Sequence, residues 1–291
     1  MTDQTLYLGT DGGVINFNIQ TQKFVQDEML SGITNLDVRT MILDRYNRLW
    51  LGFSKPGQLV QVLDMEREAV FSIGQLDLDE IVDFAAHGDS MFAAYRTGAD
   101  GGVMYLRNRE NDIQYMELYP NYPASAKALD RIVGVQILND RLILITQESL
   151  LWTRLDLNMQ DPANWQVVSP PQSISTSLNN YFSGSVVLND QLIVAQGTKL
   201  YRYDFDQYQE LVLSLVLSRN ITGLFAGTGG DIHIASGGNL YTVSTATGET
   251  TLRSTNLGVP QTVIPSDEDA FWVSTDEAFL RRISPDGEER F

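Results

Sequence analysis

Four oxygen-bearing side chains, Asp37, Asp83, Asn180 and Asn220, recur along a chain of 291 residues, each close to the start of a short apolar segment. Two carboxylates and two amides are the kind of donor set that a hard cation such as calcium takes. Arg131 and Gln261 hold the corresponding places in two further segments. Arg131 would bring a positive charge beside any metal, and none of the acids has a general base beside it in the chain. The polar lining of a water-filled channel accounts for the same residues without a metal, and it is the preferred reading.

Other chemistry finds less material. There are no cysteines, which excludes disulfides, thiolate catalysis and thiolate-ligated metals. His87 and His233 are the two histidines, and a zinc site needs at least three converging ligands. His233, within Asp231-Ile232-His233-Ile234-Ala235, reads as a satisfied core residue on a strand. No Gly-x-Ser-x-Gly elbow is present for a serine hydrolase. Glycine clusters at 11–13, 100–102, 227–230 and 236–239 precede no helix, so they read as hairpin bends that use positive φ and not as phosphate loops. Trp50, Trp152, Trp165 and Trp272 fall at comparable strand positions and are expected to fill the core.

The elements that must position these residues repeat. Leu6-Tyr7-Leu8-Gly9 followed by Gly13-Val14-Ile15-Asn16-Phe17, and Leu49-Trp50-Leu51-Gly52 followed by Leu59-Val60-Gln61-Val62, are the clearest copies of one phrase. Aligned on the second strand of each unit, the copies begin at Leu6, Leu49, Met91, Leu142, Leu192, Ile232 and Phe271, spaced by 43, 42, 51, 50, 40 and 39 residues. Such spacing suits four-stranded propeller blades of about 40–50 residues. A strand precedes six of these anchors, at 38–43, 81–86, 132–138, 185–188, 221–226 and 262–265. Tight Asn/Asp turns follow, as at Leu138-Asn139-Asp140 and Leu188-Asn189-Asp190. Third and fourth strands form a second hairpin in every unit. The expected fold is all-β, a seven-bladed β-propeller of four-stranded antiparallel blades filling residues 1–291 as one domain. The first unit begins directly at its second strand, so blade 1 is either three-stranded or completed by Phe291 from the other chain end.

The Leu-Trp-Leu-Gly core at 49–52, preceded by Asp44-Arg45-Tyr46-Asn47-Arg48, resembles the repeat of two-component-regulator propellers. Residues 240–249 resemble the quinoprotein (PQQ-like) repeat, while WD-type and kelch signatures are absent. A weaker likeness links 188–194 with 200–203, and Asp161-Pro162-Ala163-Asn164-Trp165, to propeller domains of phage tail and virion proteins. These resemblances imply a fold and scarcely constrain a function. Within the propeller class, gluconolactonase-like hydrolases hold an axial calcium, and Asp37, Asp83, Asn180 and Asn220 would be its ligands here.

A formal charge of −17 disfavours nucleic acid and anionic membrane surfaces as direct partners. Residues 1–4 show no signal-peptide pattern and no apolar run approaches a membrane span, so a soluble, cytoplasmic or virion-associated protein is expected. Departures from the repeat are the places to look for binding. One is the loop 97–102, which appears as a lengthened turn in blade 3 and contains Asp100. A second is the connection 119–127 between blades 3 and 4, with Tyr119, Pro120, Tyr122 and Pro123. A third is the connection 169–178 between blades 4 and 5, with Pro170 and Pro171. Strand alternation places these three on one face, and the blade 4 insertion 158–164 on the other. Tyr119 and Tyr122, stiffened by prolines, suit interface anchors or packing of the crossover; both readings stand. The function expected is a non-enzymatic interaction or structural module, a subunit of a larger assembly such as a phage virion or tail, binding a protein partner through the blade 3–5 loops. A calcium-dependent hydrolase and a ligand-sensing propeller domain are the alternatives.

Overall fold

Apolar runs such as Leu49-Trp50-Leu51 are continuous because their strands are covered on both sides. Arg48–Phe53 is buried at every position, whereas Lys23–Val25 and Gly287–Arg290 are exposed at every position. A computed structural model describes residues 5–26, 28–74, 76–175, 179–266, 270–275 and 279–291. Residues 1–4, and the end of the second long connection at 176–178, lie outside the described residues.

The first sheet has three strands, β1 (Thr5–Thr10), β2 (Gly13–Asn18) and β3 (Lys23–Val25). Six four-stranded antiparallel meanders follow. They are β4 (Val38–Leu43), β5 (Arg48–Phe53), β6 (Val60–Asp64), β7 (Ala69–Ile73); β8 (Glu80–His87), β9 (Ser90–Thr97), β10 (Asp100–Arg109), β11 (Asp112–Tyr119); and β12 (Ile132–Leu138), β13 (Arg141–Thr146), β14 (Leu150–Arg154), β15 (Gln166–Val168). The last three are β16 (Phe182–Leu188), β17 (Gln191–Gln196), β18 (Lys199–Tyr203), β19 (Tyr208–Leu211); β20 (Ile221–Ala226), β21 (Asp231–Ser236), β22 (Asn239–Ser244), β23 (Thr250–Ser254); and β24 (Pro260–Pro265), β25 (Phe271–Thr275), β26 (Leu280–Ser284), β27 (Gly287–Arg290). This is a seven-bladed β-propeller. All seven anchors read from the repeat lie in β1, β5, β9, β13, β17, β21 and β25. Phe291 exchanges both backbone hydrogen bonds with Leu280 (2.9 and 3.2 Å), so it belongs to its own hairpin and the first blade has three strands.

Residues Met1–Val168 and Ser169–Phe291 form two compact units. Within the first, apolar layers fill the spaces between successive blades. One joins Trp50, Ile81, Phe84, Met91 and Leu106; the next joins Phe92, Val103, Ile132, Leu142 and Trp165. Within the second, Ile193, Leu224 and Ile234 pack between the fifth and sixth blades, and Leu240, Phe271 and Ile283 between the sixth and seventh. Every four-stranded blade carries one β-bulge near the start of its first strand, between Val38/Thr40, Ile81/Asp83, Ile132/Gly134, Phe182/Gly184, Ile221/Gly223 and Pro260/Thr262. A bulge re-aims the side chain that follows it, and Asp83 is one of the residues placed in this way.

The turn expectations hold where φ was required. Asn139 and Asp140 (φ 49° and 56°), and Asn189 and Asp190 (φ 50° and 55°), form left-handed two-residue turns. The 97–102 segment differs. Asp100 pairs with Thr97, so the turn is tight and Gly101 and Gly102 are strand residues of β10. They are needed for close approach: a Cβ on Gly101 would lie 2.4 Å from the Leu129 carbonyl oxygen, and one on Gly102 would lie 2.5 Å from that of Tyr119.

Candidate functional site

The crossover from β11 to β12 lies against those two glycines. Tyr119 ends β11 and is 7% exposed. The Tyr122 hydroxyl donates to the Tyr119 carbonyl (2.8 Å), and its ring meets Trp165 edge-on, centroids 4.9 Å apart. Burial pushes the Tyr119 and Tyr122 hydroxyls well above the ordinary tyrosine range, and Tyr95 beside them up to about 12. The two tyrosine rings therefore hold the crossover down from within. What the crossover leaves at the surface is Pro120, Asn121, Ala124, Ser125 and Lys127, with Pro123 half-buried and Asp100 exposed at the tip of the neighbouring hairpin. Further along, the Lys127 amide donates to Ser149 Oγ (3.0 Å), and Thr146 Oγ1 donates to the Lys127 carbonyl (2.7 Å).

The blade 4 insertion, expected on the opposite face as a separate contact, is joined to this crossover. Gln160 Nε2 donates to the Leu118 carbonyl (2.7 Å) and to Glu117 (2.8 Å), while Asn121 Nδ2 reaches Gln160 Oε1 (3.5 Å). The insertion is also closed on itself. Trp165 Nε1 donates to the Met159 carbonyl, Asn164 Nδ2 to that of Asn158, and Asp161 caps the short 3-10 turn Pro162–Asn164. Strand counting assigns each loop to an end of its blade but misses the reach of an eleven-residue excursion (155–165) between β14 and β15. Gln160 and Trp165 were not legible as site residues. The 50-residue spacing after Leu142 was the available signal.

In the second unit, Pro170 and Pro171 are half-buried at the start of the connection into the fifth blade. This connection is held by buried amides. Gln196, fully buried, accepts from the Gln172 amide (3.0 Å) and donates to the Gln172 carbonyl (2.9 Å). Asn180 accepts from the Ser175 amide (2.7 Å) and donates to the Ser173 carbonyl (2.8 Å). Asn35 plays a parallel part before β4, donating to the Ser54 and Gln58 carbonyls.

The candidate cation ligands are each engaged locally. Asp37 accepts from Arg39 (2.7 Å) and from the Ser54 hydroxyl. Asp83 accepts the amides of Phe84 and Val135, both at 2.9 Å. Asn220 donates to the Asn179 carbonyl (2.6 Å). A calcium ligand set needs oxygens left over for the metal, and Asp37 already faces a guanidinium. Among the described residues, no three His, Asp or Glu side chains gather as a metal would require. Arg131 pairs with Glu148 (2.6 Å), and Gln261 is exposed. His233 is buried, with Nδ1 3.1 Å from Thr242 Oγ1 and its ring against Phe271. His87 is exposed, 3.4 Å from Asp140.

No protein-family model matches the sequence, and no curated protein does. Solved structures do. PorZ, a bacterial surface component of the type-IX secretion system of Porphyromonas gingivalis, matches all of this chain at 16% identity with a TM-score of 0.69. The extracellular domain of a one-component system from B. thetaiotaomicron matches 97% at 12% identity and 0.70. The WD40 repeats of RRP9 match 94% at 10% identity and 0.66. What is shared is the propeller fold. The chain spans 37% of the PorZ chain and 37% of the one-component-system chain, against 84% of RRP9. Among the described residues, no helix is long and apolar enough to cross a membrane.

Proposed function

We propose that this propeller is a non-enzymatic interaction or structural module, a subunit of a larger protein assembly, which docks a protein partner through the loops of blades 3 to 5. The observation that carries the reading is the construction of the crossover platform. Tyr119, Tyr122, Gln160 and Trp165 lock the loop from beneath, so that Pro120, Asn121 and Pro123 are offered on a preformed surface. Preorganised loops lose little entropy on docking. Tyr119 and Tyr122 act in this scheme as anchors of the platform, with Asp100 beside it at the tip of the neighbouring hairpin. Similar propellers occur in assemblies, among them a chain of the mitotic checkpoint complex (11% identity, TM-score 0.64) and the secretion-system component PorZ. A virion or tail subunit is one concrete form of such an assembly.

The test is light scattering of the purified chain, then capture from its source extract with wild type and an Asn121→Arg/Pro120→Asp double variant. A defined partner or homo-oligomer that the double variant loses supports the reading. A monomer that captures nothing, or a partner indifferent to the variant, overturns it.

A further inference from the structure

Trp152 departs from the expectation that the tryptophans are core filler. Trp50, Trp165 and Trp272 are 0%, 3% and 2% exposed, whereas Trp152 is only partly covered. It stands on β14 two residues before Arg154, and so on the same side of the sheet. Arg141, directly across from Arg154 on β13, places its guanidinium 5.2 Å from the Trp152 ring centroid. The indole is thus oriented from one side by a cation–π contact. It also lines an open groove of about 340 Å³ with Arg154, Leu157, Ala163, Asn164 and Gln166.

The far wall of the groove is the insertion already described, closed by the Trp165–Met159 and Asn164–Asn158 bonds and pinned by Gln160. The site is therefore preformed. Its volume falls in the range of about 300–1,000 Å³ typical of small-ligand sites, which are mostly apolar with a few placed polar groups. Leu157, 40% exposed, and Ala163 continue the apolar floor beside the indole. Asn164, Gln166 and Arg154 are planar polar groups, and amides and guanidinium offer forked hydrogen-bonding edges. Arg154 is paired with Asp156 at 2.5 Å, Arg141 stands beside the indole, and no carboxylate lines the groove, so a cation is disfavoured there.

An apolar aromatic floor beside forked polar groups matches a ligand with one flat C–H face and a rim of adjacent hydroxyls. We propose that the Trp152 groove binds a neutral pyranose saccharide, the sugar ring stacked on the indole and its hydroxyls bonded by Asn164, Gln166 and Arg154. This site is separate in its logic from the protein-docking platform, and either can fail without the other.

The experiment is intrinsic fluorescence of the whole chain titrated with maltose, cellobiose, lactose and mannobiose, with glucuronate as the charged comparison. At least one neutral disaccharide is expected to give a saturable change in emission. Trp152→Ala is expected to abolish it, and Leu157→Asp, at the exposed end of the apolar floor, to weaken binding at least tenfold by calorimetry with an unchanged melting curve. Should Trp152→Ala fail to fold, Leu157→Asp and Gln166→Ala carry the test. No response to any neutral disaccharide up to millimolar concentration, a response confined to glucuronate, or binding unaltered by these substitutions overturns the proposal.

Discussion

Asp83 on β8 accepts the backbone N–H of Val135 on β12 at 2.9 Å, so the carboxyl of one blade is bonded to the first strand of the next. Burial pushes this carboxyl from 3.8 up to about 6, against the lowering pull of the Val135 and Phe84 amides. At low pH the group is protonated in both folded and unfolded chains. As pH rises through the window from 3.8 to about 6, the unfolded chain ionises first, and the contribution of Asp83 to stability is lost. Asp83→Asn removes the charge and keeps one acceptor, but turns its N–H₂ toward the second amide, so the relief of the buried charge at pH 7 is offset by that mismatch. Urea unfolding is expected to show a shallower loss of stability across the window from pH 3.8 to about 6. A variant whose pH profile runs parallel to wild type would refute this account.

The Arg48–Asp64 pair is buried, its side chains 2% and 3% exposed, with Arg48 Nη1 donating also to the Arg109 carbonyl (2.7 Å) and Nη2 to that of Glu110. It ties the second blade to the third. Removing Arg48 leaves the buried Asp64 carboxylate with the more distant Arg67 at 3.7 Å and leaves the Arg109 and Glu110 carbonyls without their donor, so Arg48→Ala is expected to cost about 3 kcal/mol in denaturant melts. Arg48→Met combined with Asp64→Leu should recover much of that loss. It should not recover all of it, because Asp64 also accepts the amides of Glu66 and Arg67 in the adjoining turn.

Gly101→Ala should loosen the crossover platform. The added methyl would face two backbone oxygens, of Leu129 at 2.4 Å and Tyr95 at 2.7 Å, and neither can rotate away. A loss of about 1–3 kcal/mol is expected from such overpacking, together with faster amide exchange across residues 120–131. Gly74→Ala, where a Cβ meets nothing within 4 Å, is the matched control.

Chelation is expected to leave the melting temperature unchanged, because Asp83 gives both oxygens to the amides of Phe84 and Val135 and Asp37 faces the Arg39 guanidinium. Thermal melts with and without calcium check this. A ligand of the folded state raises stability with concentration, so a saturable rise with calcium would restore the hydrolase reading.

Much of the fold was legible because burial on both faces writes itself as unbroken apolar runs. Leu49, Leu142 and Leu192 marked their strands without any contact being known. The Asn139-Asp140 and Asn189-Asp190 turns were legible for a similar reason, since few residues tolerate left-handed φ. The candidate site was less so. Tyr119 and Tyr122 carry the same side chains whether they face a partner or the interior, and only their neighbours decide. Gly101 and Gly102 looked like a bend and proved to be close-approach positions in a strand.

The sequence by itself determined the seven-fold repeat, the strand that anchors each unit and the Asn/Asp turn chemistry, because these depend on local backbone preferences and on apolar patterning within each repeat. Only the tertiary structure decided that the 155–165 excursion meets the 119–127 crossover, that Trp152 opens onto a groove while Trp165 is buried, and that Asp83 reaches Val135. Those outcomes depend on the twist of neighbouring blades and on a bulge that turns one side chain out of the strand alternation. Neither quantity is carried by any single residue or its spacing.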